Sequence, residues 1–419
     1  MSVQRQRVSF QDGTRPRICM VSKRGISHEA FQAALFEAED VLAETASVDL
    51  VSVAPGASYA FRNRWQRRLL FRGLKSLAYA NPGLERVKLE RDYDVFVAVC
   101  QNVWDLLSIN AVENWKERCG VSICWLGEIW TAELAKIPHL VRSLQRFDHV
   151  FVSSQGTVAP LSEFLGRKCH FMPTATDTLR FSPMPHEPQR TVDVYSIGRR
   201  WPGVHEALKQ AAADDGLFYL FDSYRKMAEM EFADHRQHRE LFASIAKRSR
   251  YFMVSPGKMD SHAETRGQVE IGYRYFEGAS AGAVMVGQAA ECDAFRELFP
   301  WPDAVAEVKP DGSDVLEVIA DLEADPVRLA ELGRRNAAAS LLRHDWVHRW
   351  MQIFEIAGVA PSSAMTARRD RLRELAHAAS GPQSARPRQS PAAVASANNQ
   401  GIGEKRAAMP RDAFDRSVA

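Results

Sequence analysis

Tyr251-Phe-Met-Val-Ser-Pro-Gly257 and, after a polar loop, Gly272-Tyr-Arg-Tyr-Phe-Glu-Gly-Ala-Ser-Ala-Gly-Ala-Val-Met-Val286 decide the fold. The first run is apolar and stops at Ser255-Pro256, so it reads as a buried strand. The stretch from Gly272 reads as a helix whose small residues, Gly278 to Gly282, let it lie close on a sheet, and Ala283 to Val286 as the next strand. Strand, helix, strand is the unit of a parallel sheet. Working outward, further short apolar runs flank this unit at Val192 to Ile197, Phe218 to Phe221 and Val305 to Val308. An earlier series stands at Ile18 to Val21, Val48 to Val53, Val95 to Cys100, Val121 to Leu126, Val150 to Val152 and Cys169 to Met172, with helical stretches between.

Between the two series lies Phe181-Ser-Pro-Met-Pro-His-Glu-Pro188, whose prolines suit a joint rather than an element. The expected organisation is α/β, with two doubly wound Rossmann-like domains facing a cleft. The first domain spans 15–183, a linker 184–191 and the second domain 192–343. A closing helix at 344–359, amphipathic through Trp346, Trp350, Ile353 and Phe354, is expected to pack toward the first domain. From 360 to 419 the chain is rich in Ala, Ser, Pro, Gln and Arg and has Phe414 as its only aromatic, so a mostly disordered tail is expected, with a transient helix at Arg368 to Ala379.

The chain has 419 residues, 46% hydrophobic and 25% charged, the composition of a globular protein. Its 54 basic and 52 acidic residues leave a net charge of +2, too little to coat nucleic acid, so no nucleic-acid partner is expected. No run approaches the ~18 apolar residues of a membrane span, and the region around Arg5, Arg7 and Asp12 has no signal-peptide core. A cytoplasmic location is expected. The six cysteines are scattered without a Cys-x-x-Cys pair, which favours reduced thiols over a zinc site, and no metal site is expected.

In doubly wound domains, ligands sit where strands end and helices begin. The amides of Gly272 and Tyr273, at the start of a helix, favour a phosphate. Glu277, in a segment otherwise apolar and small, can accept both hydroxyls of a ribose, or be a solvated or salt-bridged helix glutamate. The strand Val192 to Ile197 runs into Gly198-Arg199-Arg200, where guanidinium forks match diphosphate oxygens, with Arg199 the first choice and Arg200 the second, unless both are surface arginines of an ordinary turn. In the first domain, Gly25 lies in a loop that could approach phosphates from across the cleft or be an ordinary turn. Glu128 follows a strand and could contact a sugar hydroxyl, act as a base toward an acceptor, or cap the next helix. His28, His139 and His262 lack a partner at readable spacing. Phe61 to Lys75 carries Arg62, Arg64, Arg67, Arg68, Arg72 and Lys75 without an acid. On one helix, Arg64, Arg68, Arg72 and Lys75 share a face and Leu70, Leu74 and Leu77 another, a pattern that suits an anionic membrane surface, an acceptor phosphate or a solvated helix.

The order of these pieces resembles the GT-B-fold retaining glycosyltransferases, group one or family four, including their spore-maturation-type branch. The resemblance runs from about Asp148 to Trp350, through Asp148-His-Val-Phe-Val-Ser-Ser154, Phe171-Met-Pro-Thr-Ala-Thr-Asp177, Phe181-Ser-Pro183, Gly198-Arg199, Ser255-Pro256, and Glu277 followed by Gly282. It implies a nucleoside-diphosphate sugar as donor substrate rather than a resident cofactor, and a hydroxyl acceptor on a glycan, a lipid-linked sugar or a glycoconjugate. It also implies hexosyl transfer with retention, a role in polysaccharide biosynthesis, and independence of metal. For this chain it implies Arg199 at the diphosphate, Gly272 and Tyr273 in the phosphate loop, Pro256 beside it, and Glu277 on the ribose. Departures from the pattern are Val269 where a glutamate is common, with Glu270 one place out of register; Gly127-Glu128 in place of a histidine and aspartate; and Trp201-Pro-Gly-Val-His205 where a lysine is expected. An epimerase or hydrolase of nucleotide sugars, and a binder without turnover, are the alternatives. A dinucleotide oxidoreductase is disfavoured because no Gly-x-Gly-x-x-Gly follows an early strand. A basic 61–75 segment would then place the protein peripherally at the inner face of the membrane.

Overall fold

The apolar runs become strands because Val, Ile and Phe fit a pleated surface buried on both faces. The computed structural model describes residues 16–223 and 231–380. In the first sheet β1 (Arg17–Ser22), β2 (Ser47–Ser52), β3 (Tyr93–Cys100), β4 (Cys119–Leu126), β5 (His149–Val152) and β6 (His170–Phe171) lie in the order β2-β1-β3-β4-β5-β6. The second holds β7 (Val192–Ser196), β8 (Tyr219–Phe221), β9 (Ser249–Val254), β10 (Val284–Gly287) and β11 (Val305–Glu307) in the order β8-β7-β9-β10-β11. All these pairings are parallel, with Ile18 opposite Val95 in one sheet and Tyr251 opposite Val284 in the other. Both sheets reverse their strand order beside the first strand, so each has its switch point at the carboxyl ends of β1 and β3, and of β7 and β9. The fold is α/β with two doubly wound Rossmann-like sheets.

Helices that matter below are α1 (Ala33–Thr45), α2 (Tyr59–Phe71), α3 (Gln155–Leu165), α4 (His235–Lys247) and α5 (Tyr273–Ser280), followed by α6 (Pro326–Arg343), α7 (Trp346–Ala357) and α8 (Ser363–Ser380). Asp345 starts α7 by accepting from the Val347 amide, and Gly358, at φ +71°, ends it in a left-handed cap. Trp346, Trp350, Ile353 and Phe354 are buried with Ile18, Val97, Trp125 and Phe151, so α7 lies on the first sheet although it follows the second in sequence. Trp125 meets Trp346 and Trp350 edge-on at 5.3 and 5.9 Å, and the Trp350 indole donates to Ala38 O at 2.9 Å.

The reading of 360 onward as mostly disordered, with a transient helix at Arg368 to Ala379, differs from the structure at Ser363–Ser380, which is one packed helix. Met365, Leu372, Leu375 and Ala376 bury its inner face against the first-sheet cluster, and Arg368 bonds Asp345 at 2.9 Å and Asp177 at 2.5 Å. A composition poor in aromatics hid a segment stabilised by one buried guanidinium and four well-spaced apolar side chains. The remainder of the expected tail, 381–419, lies outside the described residues. All six cysteines are free. Among the described residues no helix is long and apolar enough to cross a membrane, and no cluster of His, Cys, Asp or Glu is placed to hold a metal.

Helix α1 buries an acidic side as well as an apolar one. Glu39 accepts from the Ser22 hydroxyl at 2.7 Å and from Arg24 Nε at 2.9 Å, and burial pushes its carboxyl up to about 7 against the pull of Arg24. Asp40 is also buried, yet His235, Arg236 and Arg24 hold it below the usual carboxylate range.

Two predictions follow from this packing. Trp350→Ala removes a buried indole and its hydrogen bond and is expected to cost about 3–5 kcal/mol, read from urea unfolding. For Glu39, the unfolded chain releases its proton near 4.5 and the folded chain near 7, so wild type loses stability from this group as pH rises through that window. Glu39→Gln is therefore expected to gain on wild type between those pH values and to keep a constant difference above them; a difference that ignores pH excludes the raised carboxyl.

Candidate active site

The cleft runs between the carboxyl ends of the two sheets, and its back wall is ionic. Arg239 on α4 gives Nε to Glu37 Oε2 at 2.8 Å, Nη2 to Glu37 Oε1 at 3.1 Å and Nη1 to Glu277 Oε1 at 2.5 Å. Arg274 gives Nη1 to Glu277 Oε2 at 2.5 Å and Nε to Ile197 O at 3.1 Å, at the end of β7. Glu37, Arg239 and Glu277 are 0%, 2% and 1% exposed, so this chain of charges lies out of water. Burial alone would raise the Glu277 carboxyl, but Arg274 and Arg239 hold it below its ordinary value. Thr176 and Trp346 donate to the same Glu37 oxygen, which brings the loop after β6 and α7 to the point where α1 meets α4.

Glu277 is thus buried with both oxygens held by guanidinium groups. In the ribose role that the resemblance implies, Arg274 would have to share or release Oε2. Gly272 and Tyr273 open α5 at the carboxyl end of β9, as their residue types suggested, with Gly272 in extended backbone at the cap. A side chain at 272 would approach Ser255 O at 3.1 Å, so the loop after β9 and the start of α5 lie against one another.

Arg199 is more than a third exposed and bonds Asp260 and, at 2.8 Å, the Ser261 hydroxyl. Arg200 is instead pinned by Asp222, whose other oxygen takes the Gly198 amide, and its guanidinium lies over Phe221. Of the two, Arg199 has the freer head. Pro256 lines a cavity of about 470 Å³ with Trp201, Lys258, Met259, Val269 and Gln288, at the carboxyl ends of β9 to β11; its described lining includes neither Glu277 nor Gly272. Gly25 lies against Val53, where a side chain would meet the carbonyl at 2.3 Å. Beyond it, His28 and Glu29 cross the cleft, the former accepting from the Phe232 amide at 2.9 Å and the latter bridging Glu231.

Glu128, after β4, takes the Trp130 indole proton at 2.8 Å and pairs with Lys258 at 2.5 Å, although Lys258 belongs to the loop after β9. It does not cap the following helix, whose N-cap amide at Trp130 is taken by Glu133. Lys258 adopts φ +50°, a left-handed backbone that costs a side-chain residue about 1–3 kcal/mol. Two carboxylates, Glu128 and Glu264, hold its ammonium in compensation. Glu270 faces away from the cavity and accepts the Gln155 and Gly156 amides at 2.9 Å each, capping α3 across the cleft, while Val269 stands on the cavity wall.

Sequence reasoning missed Arg239, Arg274, Glu37 and Lys258. Their partners lie up to 202 positions away, and no local spacing reports that distance. Arg274 carried a readable signal, since it stands one turn before Glu277 where a carboxylate and a guanidinium pair on a helix.

Residues 181–355 match the model of a family described as glycosyl transferase-like. Among solved structures, an alpha-glucosyltransferase bound to UDP and a 13-mer DNA aligns over 82% of this chain and 100% of its own, at 13% identity and TM-score 0.47. An alpha,alpha-trehalose-phosphate synthase (UDP-forming) from Burkholderia vietnamiensis aligns over 88% and 100%, at 12% and 0.46. S. aureus TarM with UDP aligns over 62% and 55%, at 10% and 0.41. These structural likenesses are too distant to say what this chain binds. No curated protein matches it in sequence. The match covers the second sheet with its linker and most of the closing helix, residues 181–355, and is in keeping with the resemblance to GT-B-fold glycosyltransferases.

Proposed function

We propose that the protein transfers a sugar, of hexose type, from a nucleoside diphosphate to a hydroxyl acceptor, with retention at the anomeric carbon. The observation that carries this reading is the convergence on one cleft of a helix start at Gly272 and Tyr273, the solvent-facing guanidinium of Arg199, and Glu128 with Lys258 from the two opposing sheets. A helix N-terminus and a guanidinium suit the negative charge that builds on the diphosphate as its bond to the sugar breaks. The electrons of that bond leave with the β-phosphate oxygen. The acceptor oxygen forms the new bond to the anomeric carbon, and its proton passes to a carboxylate, for which Glu128 is the candidate in reach of the cleft. Arg274 adds a second guanidinium beside the end of β7, and with Arg200 committed to Asp222 it is the better partner for Arg199.

Stabilisation by ligand tests the donor half directly, since a molecule that binds only the folded chain raises its melting temperature. One of UDP, GDP and ADP is expected to stabilise the protein and NAD is not. Arg199→Ala, at an exposed position, should fold normally and weaken that diphosphate by about 10–100-fold, the share of a charge-assisted hydrogen bond. Equal response of the variant removes Arg199 from the site. Conversion of the nucleotide sugar with no acceptor present would favour an epimerase or hydrolase instead.

The first-sheet side of the molecule offers a surface for an acceptor held at a membrane. Helix α2 ends at Phe71, not beyond, and Arg72 and Gly73 turn the chain into a short 3-10 segment at Lys75–Tyr79, so the single face expected for Arg64, Arg68, Arg72 and Lys75 is broken. What results is a mixed patch. Phe61, Trp65, Phe71, Leu74 and Tyr79 are 68%, 43%, 60%, 45% and 52% exposed among the arginines. Exposed aromatics among cations suit an anionic lipid surface. The protein is expected to sediment with phosphatidylglycerol vesicles and not with phosphatidylcholine alone. Each of Arg64→Ala, Arg68→Ala and Arg72→Ala should weaken binding about fivefold, at roughly 1 kcal/mol per charge. Retention of binding in the triple variant excludes the patch.

A further inference from the structure

Glu270 is tied in three directions. Its carboxylate accepts the Gln155 and Gly156 amides of α3 at 2.9 Å each, and its carbonyl accepts the Gly257 amide at 2.8 Å. Two residues further on, the chain reaches Gly272 and the start of α5. The Gly257 bond closes the loop after β9 into a lobe, 257–270, that belongs to the second sheet by chain and is bonded to the first. Gln268 accepts the Thr131 amide at 3.1 Å and donates to the Thr157 hydroxyl at 2.9 Å and to Glu270 Oε1 at 2.6 Å, while Lys258 pairs with Glu128. The opposite half returns the tie: Gln155 Oε1 accepts the Ala294 amide at 2.7 Å, at the start of the helix Asp293–Leu298.

Local residues do not make these bonds. Ser154 stands at the N-cap of α3, where a hydroxyl ordinarily takes an amide of the first turn, yet it makes no such bond. Its hydroxyl accepts the Ile129 amide at 3.4 Å instead, and Cys292 makes no side-chain cap on the helix Asp293–Leu298. Each helix start is thus completed by a side chain of the facing half. Gly156 lets the halves approach, since a Cβ there would stand 3.1 Å from Glu270 Oε1 and 3.2 Å from Gln268 Nε2. Glu270 is 5% exposed, and a buried carboxylate is tolerated where amides meet it as they do here.

We infer that Glu270 is a positioning residue: by capping α3 from the facing half it holds the lobe 257–270, and with it the start of α5, where a diphosphate is bound. The inference rests on the donor reading above and goes beyond it, because it gives the first sheet a share in diphosphate affinity through a side chain that faces α3 and not the ligand. Ile271 alone separates Glu270 from Gly272, and a helix start binds an anion through amides aimed at it. Arg199 bonds Asp260 and Ser261 of the same lobe, so the lobe holds that guanidinium as well. With the lobe freed, these groups would have to be ordered at the cost of binding. The coupling is reciprocal, so a ligand that favours the clasped lobe must strengthen the clasp.

The experiment measures, by calorimetry on the full chain, the affinity of UDP, GDP and ADP for wild type, Glu270→Ala, and Glu270→Ala combined with Ser154→Asp. The added aspartate gives α3 a carboxylate cap from its own chain without restoring the bond between the halves. Glu270→Ala is expected to melt lower than wild type and to bind the diphosphate about tenfold more weakly; Ser154→Asp should recover the melting temperature and not the affinity. Recovery of both together makes Glu270 a structural cap and overturns the inference. A Glu270→Ala protein that binds as wild type does overturns it too, and leaves the donor reading standing. Amide exchange at Gln155 and Gly156 of wild type is the second measurement, and it decides the matter where Ser154→Asp fails to restore the melting temperature. Bound diphosphate is expected to slow this exchange, and exchange indifferent to the ligand overturns the inference. Failure of all three diphosphates to bind wild type overturns the donor reading and the inference with it.

Discussion

The arrangement of the two sheets depends on Arg239. Its guanidinium is shared between Glu37 of the first sheet's α1 and Glu277 of the second sheet's α5, all three out of water. Removing a single partner from such a set typically costs 3–5 kcal/mol, because the charges left behind remain buried. Separating the sheets at this point would strand three charges at once. The two edge-to-face rings beside Arg239, Phe181 at 4.7 Å and Phe242 at 5.3 Å from its guanidinium carbon, further limit water there.

That constraint divides the cleft into a fixed wall and a yielding one. Along the fixed wall the α1 acids meet the α4 bases, Asp40 with His235 and Arg236, and Glu37 with Arg239. On the other wall the pair Glu128 and Lys258 is 31% and 19% exposed, so its partners are solvated when parted and little is lost. A ligand that enters beside Glu128 meets a partly exposed pair, whereas one that needs both oxygens of Glu277 competes with the buried guanidinium of Arg239 and the partly exposed one of Arg274.

Much of the fold was legible because parallel strands buried on both faces appear as short apolar runs, and both series of runs became sheets. The proline joint at 183–188 and the tryptophans of α7 were readable for the same reason, since composition changes locally there. The helix at 363–380 was not, because its stability comes from Arg368 meeting Asp177 and Asp345, two acids far upstream. The site divides along the same line. Gly272, Arg199 and Glu277 stand next to elements that announce them, while Lys258 and Arg239 gain their surroundings from the opposite sheet.

The departures from the family pattern have a common physical form. At 127 a side chain is missing, and the Tyr273 phenol occupies the neighbourhood from across the cleft. After Arg199 the expected lysine is missing, and the loop after β9 brings the Lys258 ammonium to Glu128. At 269 the glutamate is missing, and Glu270 caps α3 on the facing sheet. In each case the group that stands nearby reaches the facing half, so these contacts tie the two sheets together. A cleft built this way couples occupancy to sheet placement: whatever replaces Lys258 at Glu128 acts on a bond that spans both halves.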